Sequence, residues 1–344
     1  MMRALIQNGY GGPEVLAAAD LPEPGPPGPG LVAVAVHAAG LHAGDVWIMR
    51  GEPLMIRAAF GRTRPKQPVV GRDITGVVTA VGEGVTTLAV GDRVFAESDQ
   101  GGFAETALVD ARFVRPAPAN LDDAHAAVIP VSGTTALQAV RLAAVGPGDR
   151  VLVIGASGGV GTYVVQLAVA LGATVTGVAS AAKADHVRAA GAGRVIDRRT
   201  EELGADGARY DVIVDLVAAQ PLGALIGLLA PRGTLVLSAG TGSRTFGPLP
   251  RLAAAVLRSP FTRRRLKPLV ARRSGDDLDE LRAHAEAGRL RPRVDAVFPL
   301  DRAPEAFARL AAGRVTGKVA IRVRGDGEAD AAARADADAG AEPA

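Results

Sequence analysis

The chain has 344 residues, 48% of them hydrophobic but only 3% aromatic, with a net charge of +3 and no cysteine. Such a length holds two domains whose cores must be built from Ala, Val, Leu and Ile. The absence of cysteine excludes disulfides, thiolate zinc sites, iron–sulfur clusters and a cysteine nucleophile. The small net charge predicts no nucleic-acid partner.

In chain order, residues 1 to about 120 read as short strands punctuated by Gly and Pro, including Leu31–His37 and Ile74–Val81, with a proline-rich turn over Pro22–Gly30. Runs of this kind predict a compact, barrel-like β domain. From Leu121 strands alternate with helices: strand Val151–Ile154, helix Val160–Leu171, strand Thr174–Val178, helix Ala181–Ala190 and strand Arg194–Ile196. Strand Val212–Val217, helix Leu222–Leu229 and strand Thr234–Ala239 follow. The alternation predicts a parallel sheet covered on both faces. Residues 241–275 read as irregular and basic, with Arg263, Arg264, Arg265, Lys267, Arg272 and Arg273 as a solvated face by default and an anionic-surface or oligomer contact as the alternative, while Phe246–Phe261 could cover the substrate cleft or a subunit interface. Helix Asp276–Ala287 and the strand-like Lys318–Val323 close the folded part, and the last strand is expected to return to the β domain. The Ala/Asp/Glu/Gly tail 325–344 has nothing to bury and is expected to be disordered. No apolar run reaches signal-peptide or membrane-spanning form, which predicts a cytoplasmic protein with no membrane partner.

The motif with most chemistry in it is GASGGVG at 155–161, between a β-branched strand and a helix. Its glycines permit a tight turn and close backbone approach, and a helix N-terminus then offers free N–H groups to a pyrophosphate. With a second strand about 20 residues on, the context is that of a dinucleotide site. Ala156, Ser157, Gly158, Gly159, Val160 and Gly161 are its candidate contacts.

The order and spacing of PGPG (27–30), AAGLHAGDVWIMRG (38–51), PVVGRDITGVVTAVGEGV (68–85), GDRV (91–94), GGFAE (101–105), PVSGTTALQAV (130–140), GASGGVG, YDVIVD (210–215) and GKVAI (317–321) resemble the medium-chain dehydrogenase/reductase superfamily. Within it the chain resembles the zinc-free quinone oxidoreductases related to zeta-crystallin. The resemblance implies a GroES-like substrate domain (1–122 and 276–324), a Rossmann cofactor domain (123–275) and a cofactor in the cleft between them. It also implies cofactor contacts at Thr134, for which a helix N-cap is the structural alternative, and at Lys318, for which a surface charge is.

The strand Thr174–Val178 carries no acid at its end, where an NAD site usually has one. Ser180 and Lys183 there, and Arg198 where family members often carry Tyr, offer partners to a 2′-phosphate, so NADPH is the expected cofactor. The zinc-dependent branch carries a His-Glu pair where this chain has Arg72-Asp73. A metal would need an unusual set built on His42, Asp45 and Asp73, so no metal is expected.

Without a metal, hydride transfer suits substrates that are already electron-poor, namely quinones and α,β-unsaturated carbonyls. The candidate catalytic residues are His42, Asp45 and Trp47. His42 stands where quinone oxidoreductases usually carry Asn, and titrates near neutrality when unperturbed. Its structural alternative is to fix loop geometry, and Asp45 would orient it. Two other readings stay open: a metal-free alcohol dehydrogenase or biosynthetic reductase, and a non-catalytic NADPH-binding protein. Symmetric homodimers are the commonest assembly, and one is expected here.

Overall fold

The computed structural model describes residues 1–238, 240 and 242–324. Ala239, at the end of one expected strand, and the tail 325–344 lie outside them.

The N-terminal part supplies strands β1 (Met2–Gln7), β2 (Leu16–Leu21), β3 (Leu31–Leu41), β4 (Asp73–Val81), β5 (Arg93–Glu97), β6 (Thr106–Asp110) and β7 (Val114–Pro116). Helices α1 (Ala43–Arg50) and α2 (Arg57–Phe60) interrupt them between β3 and β4. Helices α3 (Asp123–Ala126) and α4 (Pro130–Ala143) then lead to alternating elements. These are β8 (Arg150–Ile154), α5 (Gly159–Ala170), β9 (Thr174–Ala179), α6 (Ala184–Ala189), β10 (Arg194–Asp197), β11 (Tyr210–Asp215), α7 (Leu222–Leu228) and β12 (Leu229–Leu237). The chain closes with α8 (Leu249–Arg258), β13 (Arg265–Pro268), α9 (Gly275–Glu286), β14 (Val294–Pro299), α10 (Ala303–Ala311) and β15 (Lys318–Arg322).

The middle strands form one parallel sheet in the order β10-β9-β8-β11-β12-β13. The order reverses at β8/β11, and in such sheets ligands bind beyond the strand ends at that switch point. Strands β3 to β7 share a seven-stranded sheet with β14 and β15, in which β15 pairs antiparallel with β3, Val319 opposite Leu41, while β1 and β2 pair separately. The last strand therefore returns to the β domain, as expected. These are the GroES-like and Rossmann units of the expected fold.

Two parts of the sequence reading need correction. Residues 241–275 are not irregular throughout: α8 packs Ala255 into the core and β13 adds the sixth strand of the parallel sheet. The expected helix 181–190 is a 3₁₀ turn, Ala181–Lys183, followed by the shorter α6. The basic run is partly occupied with internal tasks, since Lys267 Nζ donates to Leu142 O and Arg273 pairs with Asp99 at 2.7 Å. Helix α9 buries Leu278 and Leu281 in the core that also holds α4 and α5.

Helix α10 plugs the β domain by burying Phe307 completely, edge-on to Phe103 with ring centroids 6.0 Å apart. Truncation to Phe307→Ala is expected to cost about 3–5 kcal/mol. Urea unfolding of the two proteins measures it directly.

Candidate active site

The glycine turn dictates the floor of the cleft. Gly155 has φ +89°, and a Cβ at Gly161 would stand 2.1 Å from Gly155 O, so the first turn of α5 lies directly on the end of β8. No side chain caps α5 at its N-terminus, which leaves its first N–H groups available to an anion. Gly161→Ala is therefore expected to lose nucleotide binding at least about tenfold, or to unfold the turn, as read by calorimetry and thermal melting.

A cavity of about 780 Å³ runs from this turn into the interdomain cleft. It is lined by Ser157, Gly158, Gly159, Val160, Gly161, Thr134, Ser180, Lys183, Arg198, Lys318, His42 and Trp47 together, although they lie up to 276 positions apart. Two of the sequence-chosen residues do not line it. Ala156 is buried beneath the turn, and Asp45 is buried behind His42. Thr134 lies inside α4, whose N-cap is Ile129, so it is not an N-cap. Its Oγ1 is buried without a protein partner among the described residues.

At the end of the cavity near β9, Lys183 Nζ donates to Gly313 O (3.0 Å) and Val315 O (2.5 Å), fixing the ammonium at the cavity wall. Arg198 is exposed, and its guanidinium makes no ion pair among the described residues. No carboxylate stands at the end of β9.

At the other end, Lys318 is no surface charge. It is 3% exposed, donates to Ser132 Oγ at 2.9 Å and lies 3.7 Å from Asp73 Oδ2. Its stem packs on the glycine turn, where a Cβ at Gly159 would meet Lys318 Cδ at 2.5 Å. Burial pulls the Lys318 ammonium down, against the attraction of Asp73 and Asp45. Burial likewise pushes Asp73 up to about 6, with Lys318 opposing, and Asp45 up to about 7.

His42 and Asp45 form a reciprocal capping box at the start of α1. Asp45 N donates to His42 Nδ1 at 3.3 Å, and His42 N donates to Asp45 Oδ2 at 2.9 Å. Because Nδ1 accepts, the imidazole proton sits on Nε2, which is buried with no protein partner among the described residues. His42 does not titrate near neutrality. Burial, then Lys318 and Arg72, hold its pKa well below 6.5, so it is a neutral hydrogen-bond donor.

These engagements bear on zinc. His42 Nδ1 and Asp45 Oδ2 are spent on capping, and Asp73 Oδ1 accepts the Val131 N–H at 2.8 Å. No cluster of three or more His, Asp or Glu fit to hold a metal occurs among the described residues, and the sequence has no Cys. The residues present do not fit the zinc set of the wider superfamily.

The sequence reading missed Ser132, Arg72 and Glu97, all of which line the cavity. Arg72 pairs with Glu97 at 2.6 Å, and burial pushes Glu97 up to about 7, with Arg72 opposing. Ser132 stood two residues from the chosen Thr134. The acid ending the apolar β5 was the available signal for Glu97.

The raised Asp45 gives a pH prediction. With a folded value near 7 against 3.8 unfolded, its contribution to stability is full below 3.8 and is lost as pH rises through about 7. The melting temperature of the wild type should therefore fall relative to Asp45→Asn across that window. A constant difference would contradict the buried-acid assignment.

Two family models match the chain: an alcohol dehydrogenase GroES-like domain over residues 28–119 and a zinc-binding dehydrogenase domain over residues 190–321. The chain is 31% identical to a chloroplast envelope quinone oxidoreductase homolog of Arabidopsis thaliana, over 93% of this chain and 98% of that one. It is 36% identical over 87% of its length to a segment of the pikromycin polyketide synthase component PikAII of Streptomyces venezuelae, of which it spans 8%. The structure of the quinone oxidoreductase from Coxiella burnetii superposes with a TM-score of 0.82 at 27% identity, covering 94% of this chain and 99% of that one.

Proposed function

The chain belongs to the zinc-free quinone oxidoreductase family of the medium-chain dehydrogenase/reductase superfamily, and from that premise we propose that it is an NADPH-dependent reductase of quinones or α,β-unsaturated carbonyls. The observation that carries the reading is the one cavity that joins the glycine turn, Lys183, Arg198 and the neutral His42. The available N–H groups of α5 and the orphaned Thr134 hydroxyl suit a dinucleotide, and Ser180, Lys183 and Arg198 suit its 2′-phosphate.

A nicotinamide cofactor held at the glycine turn, Ser180, Lys183 and Arg198 would supply hydride chemistry to an electron-poor carbon. The protein's own residues position the acceptor and meet the charge that develops on its oxygen. His42 Nε2–H donates to that oxygen, Asp45 fixes the ring by capping, and Trp47 forms an apolar wall. The proton that completes reduction comes from water, because a neutral, low-pKa imidazole is a poor acid. Asp45 is a positioning residue on this reading. No metal is used, which favours acceptors that stabilise their own charge over simple alcohols.

A biosynthetic reductase acting on an acyl chain is the second reading, supported by the likeness to the polyketide synthase segment. The experiment is NADPH and NADH oxidation by chelator-treated protein with an ortho-quinone and a simple enone, with the products identified. Turnover preferring NADPH, yielding hydroquinone or saturated ketone, is expected. Preference for NADH would overturn the phosphate assignment, and NADPH binding without turnover would favour a narrower biosynthetic substrate.

Lys183→Ala and Arg198→Ala should each raise the KM for NADPH about tenfold or more while leaving that for NADH unchanged. Equal effects on both cofactors would make Lys183 only a tie to the 313–315 loop.

A further inference from the structure

A cation on the β-domain wall of the cavity is left over once the cofactor contacts are assigned. Arg72 stands immediately before β4, and Glu97 ends β5, the strand that pairs antiparallel with β4. The arginine backbone is fixed, since Arg72 O accepts from Ser98 N at 2.7 Å and from Ser98 Oγ at 3.1 Å. The side chain lines the cavity with His42 and Trp47 and donates from Nη2 to Glu97 Oε1 at 2.6 Å. Nε and Nη1 have no protein partner among the described residues. A guanidinium carries five N–H donors in one plane, so most of this one's capacity is open to an incoming anion.

The charges around the pair are matched among themselves. Arg273 pairs with Asp99 at 2.7 Å, and Lys318 lies 3.7 Å from Asp73. Arg72, Asp73, Arg273 and Asp99 are the charged groups that act on Glu97. Burial raises that carboxyl to about 7, so near neutrality it compensates Arg72 only in part, while the guanidinium stays charged. Ser180, Lys183, Arg198 and the α5 N–H groups, all on the Rossmann unit, suit the cofactor's phosphates. Arg72 belongs to the other unit, on the wall that carries His42 and Trp47.

Resting on the reductase reading, we propose that Arg72 is a specificity-determining residue that receives a carboxylate on the acceptor, so that the preferred substrates are enones or quinones carrying one. The carboxylate meets the free N–H groups of the guanidinium, while His42 Nε2–H meets the reacting oxygen. Glu97 is a competitor for the same cation. When it is protonated the guanidinium is free for the acceptor, and when it ionises the two carboxylates contend for one charge.

The test uses acetylacrylate and its methyl ester, two enones of closely similar shape that differ in charge, with NADPH between about pH 6 and 8, where the free acid stays ionised. At the acid end of that range kcat/KM should favour acetylacrylate over the ester about tenfold or more. The ratio should fall as pH rises through about 7 and Glu97 ionises. Glu97→Gln should hold the ratio at its low-pH value throughout. Arg72→Gln should bring it close to unity, and Arg72→Lys should restore part of it. Binding of levulinate and methyl levulinate, the saturated counterparts, read by ligand-observed NMR with NADP⁺ present, needs no turnover. If neither enone is reduced, the reductase reading fails, yet stronger binding of levulinate that is lost in Arg72→Gln still supports the carboxylate site. Equal use or equal binding of acid and ester overturns the proposal, as does a preference that survives Arg72→Gln. A loss shared equally by both substrates in Arg72→Gln, with a lower melting temperature, would make the arginine structural and overturns it too.

Discussion

A single buried cation fastens this molecule together. Lys318 opens β15, and its ammonium sits between Ser132 of α4 and Asp73 of β4. Asp73 in turn accepts the Val131 N–H near the start of α4. The lysine stem lies on Gly159 in the nucleotide turn, while Gly317 N donates to Ser157 O at 2.9 Å. The end of the chain thereby joins the β sheet, helix α4 and the glycine turn at one point. Removing one partner of such a buried pair typically costs about 3–5 kcal/mol, because the other charge is left uncompensated.

The same group sets the electrostatics of the cleft. It adds, with Arg72, to the burial that keeps His42 neutral, and it opposes the burial that raises Asp73. The cavity lining holds the cations Arg72, Lys183, Arg198, Arg272 and Lys318 against the single carboxylate Glu97. A cleft of that sign suits a polyanionic cofactor. The rest of the lining includes the apolar Leu41, Trp47, Leu249 and Leu252.

Most of the architecture was legible because periodicity and glycine placement are local signals. The strand before GASGGVG and the helix after it follow from patterns a few residues long. The segment 241–275 was not legible. Prolines and arginines interrupt α8 and β13 at each end, and β13 has only four residues whose partner, β12, supplies the strand geometry. The site residues were legible as types but not as states. Nothing near Lys318 in the sequence shows that Asp73 and Ser132 will bury it. His42 reads as a neutral-pH titrating group until burial, and then Lys318 and Arg72, are seen to lower its pKa.

The account rests most directly on NADPH binding at a cleft that Lys318 organises. Calorimetric titration of NADPH into the wild type and into Lys318→Met, with a melting curve for each, tests it in one experiment. The account predicts binding by the wild type, at least about tenfold weaker affinity in a folded Lys318→Met, and a lower melting temperature for that variant. Equal affinities in two equally stable proteins, or no binding by the wild type, would contradict it.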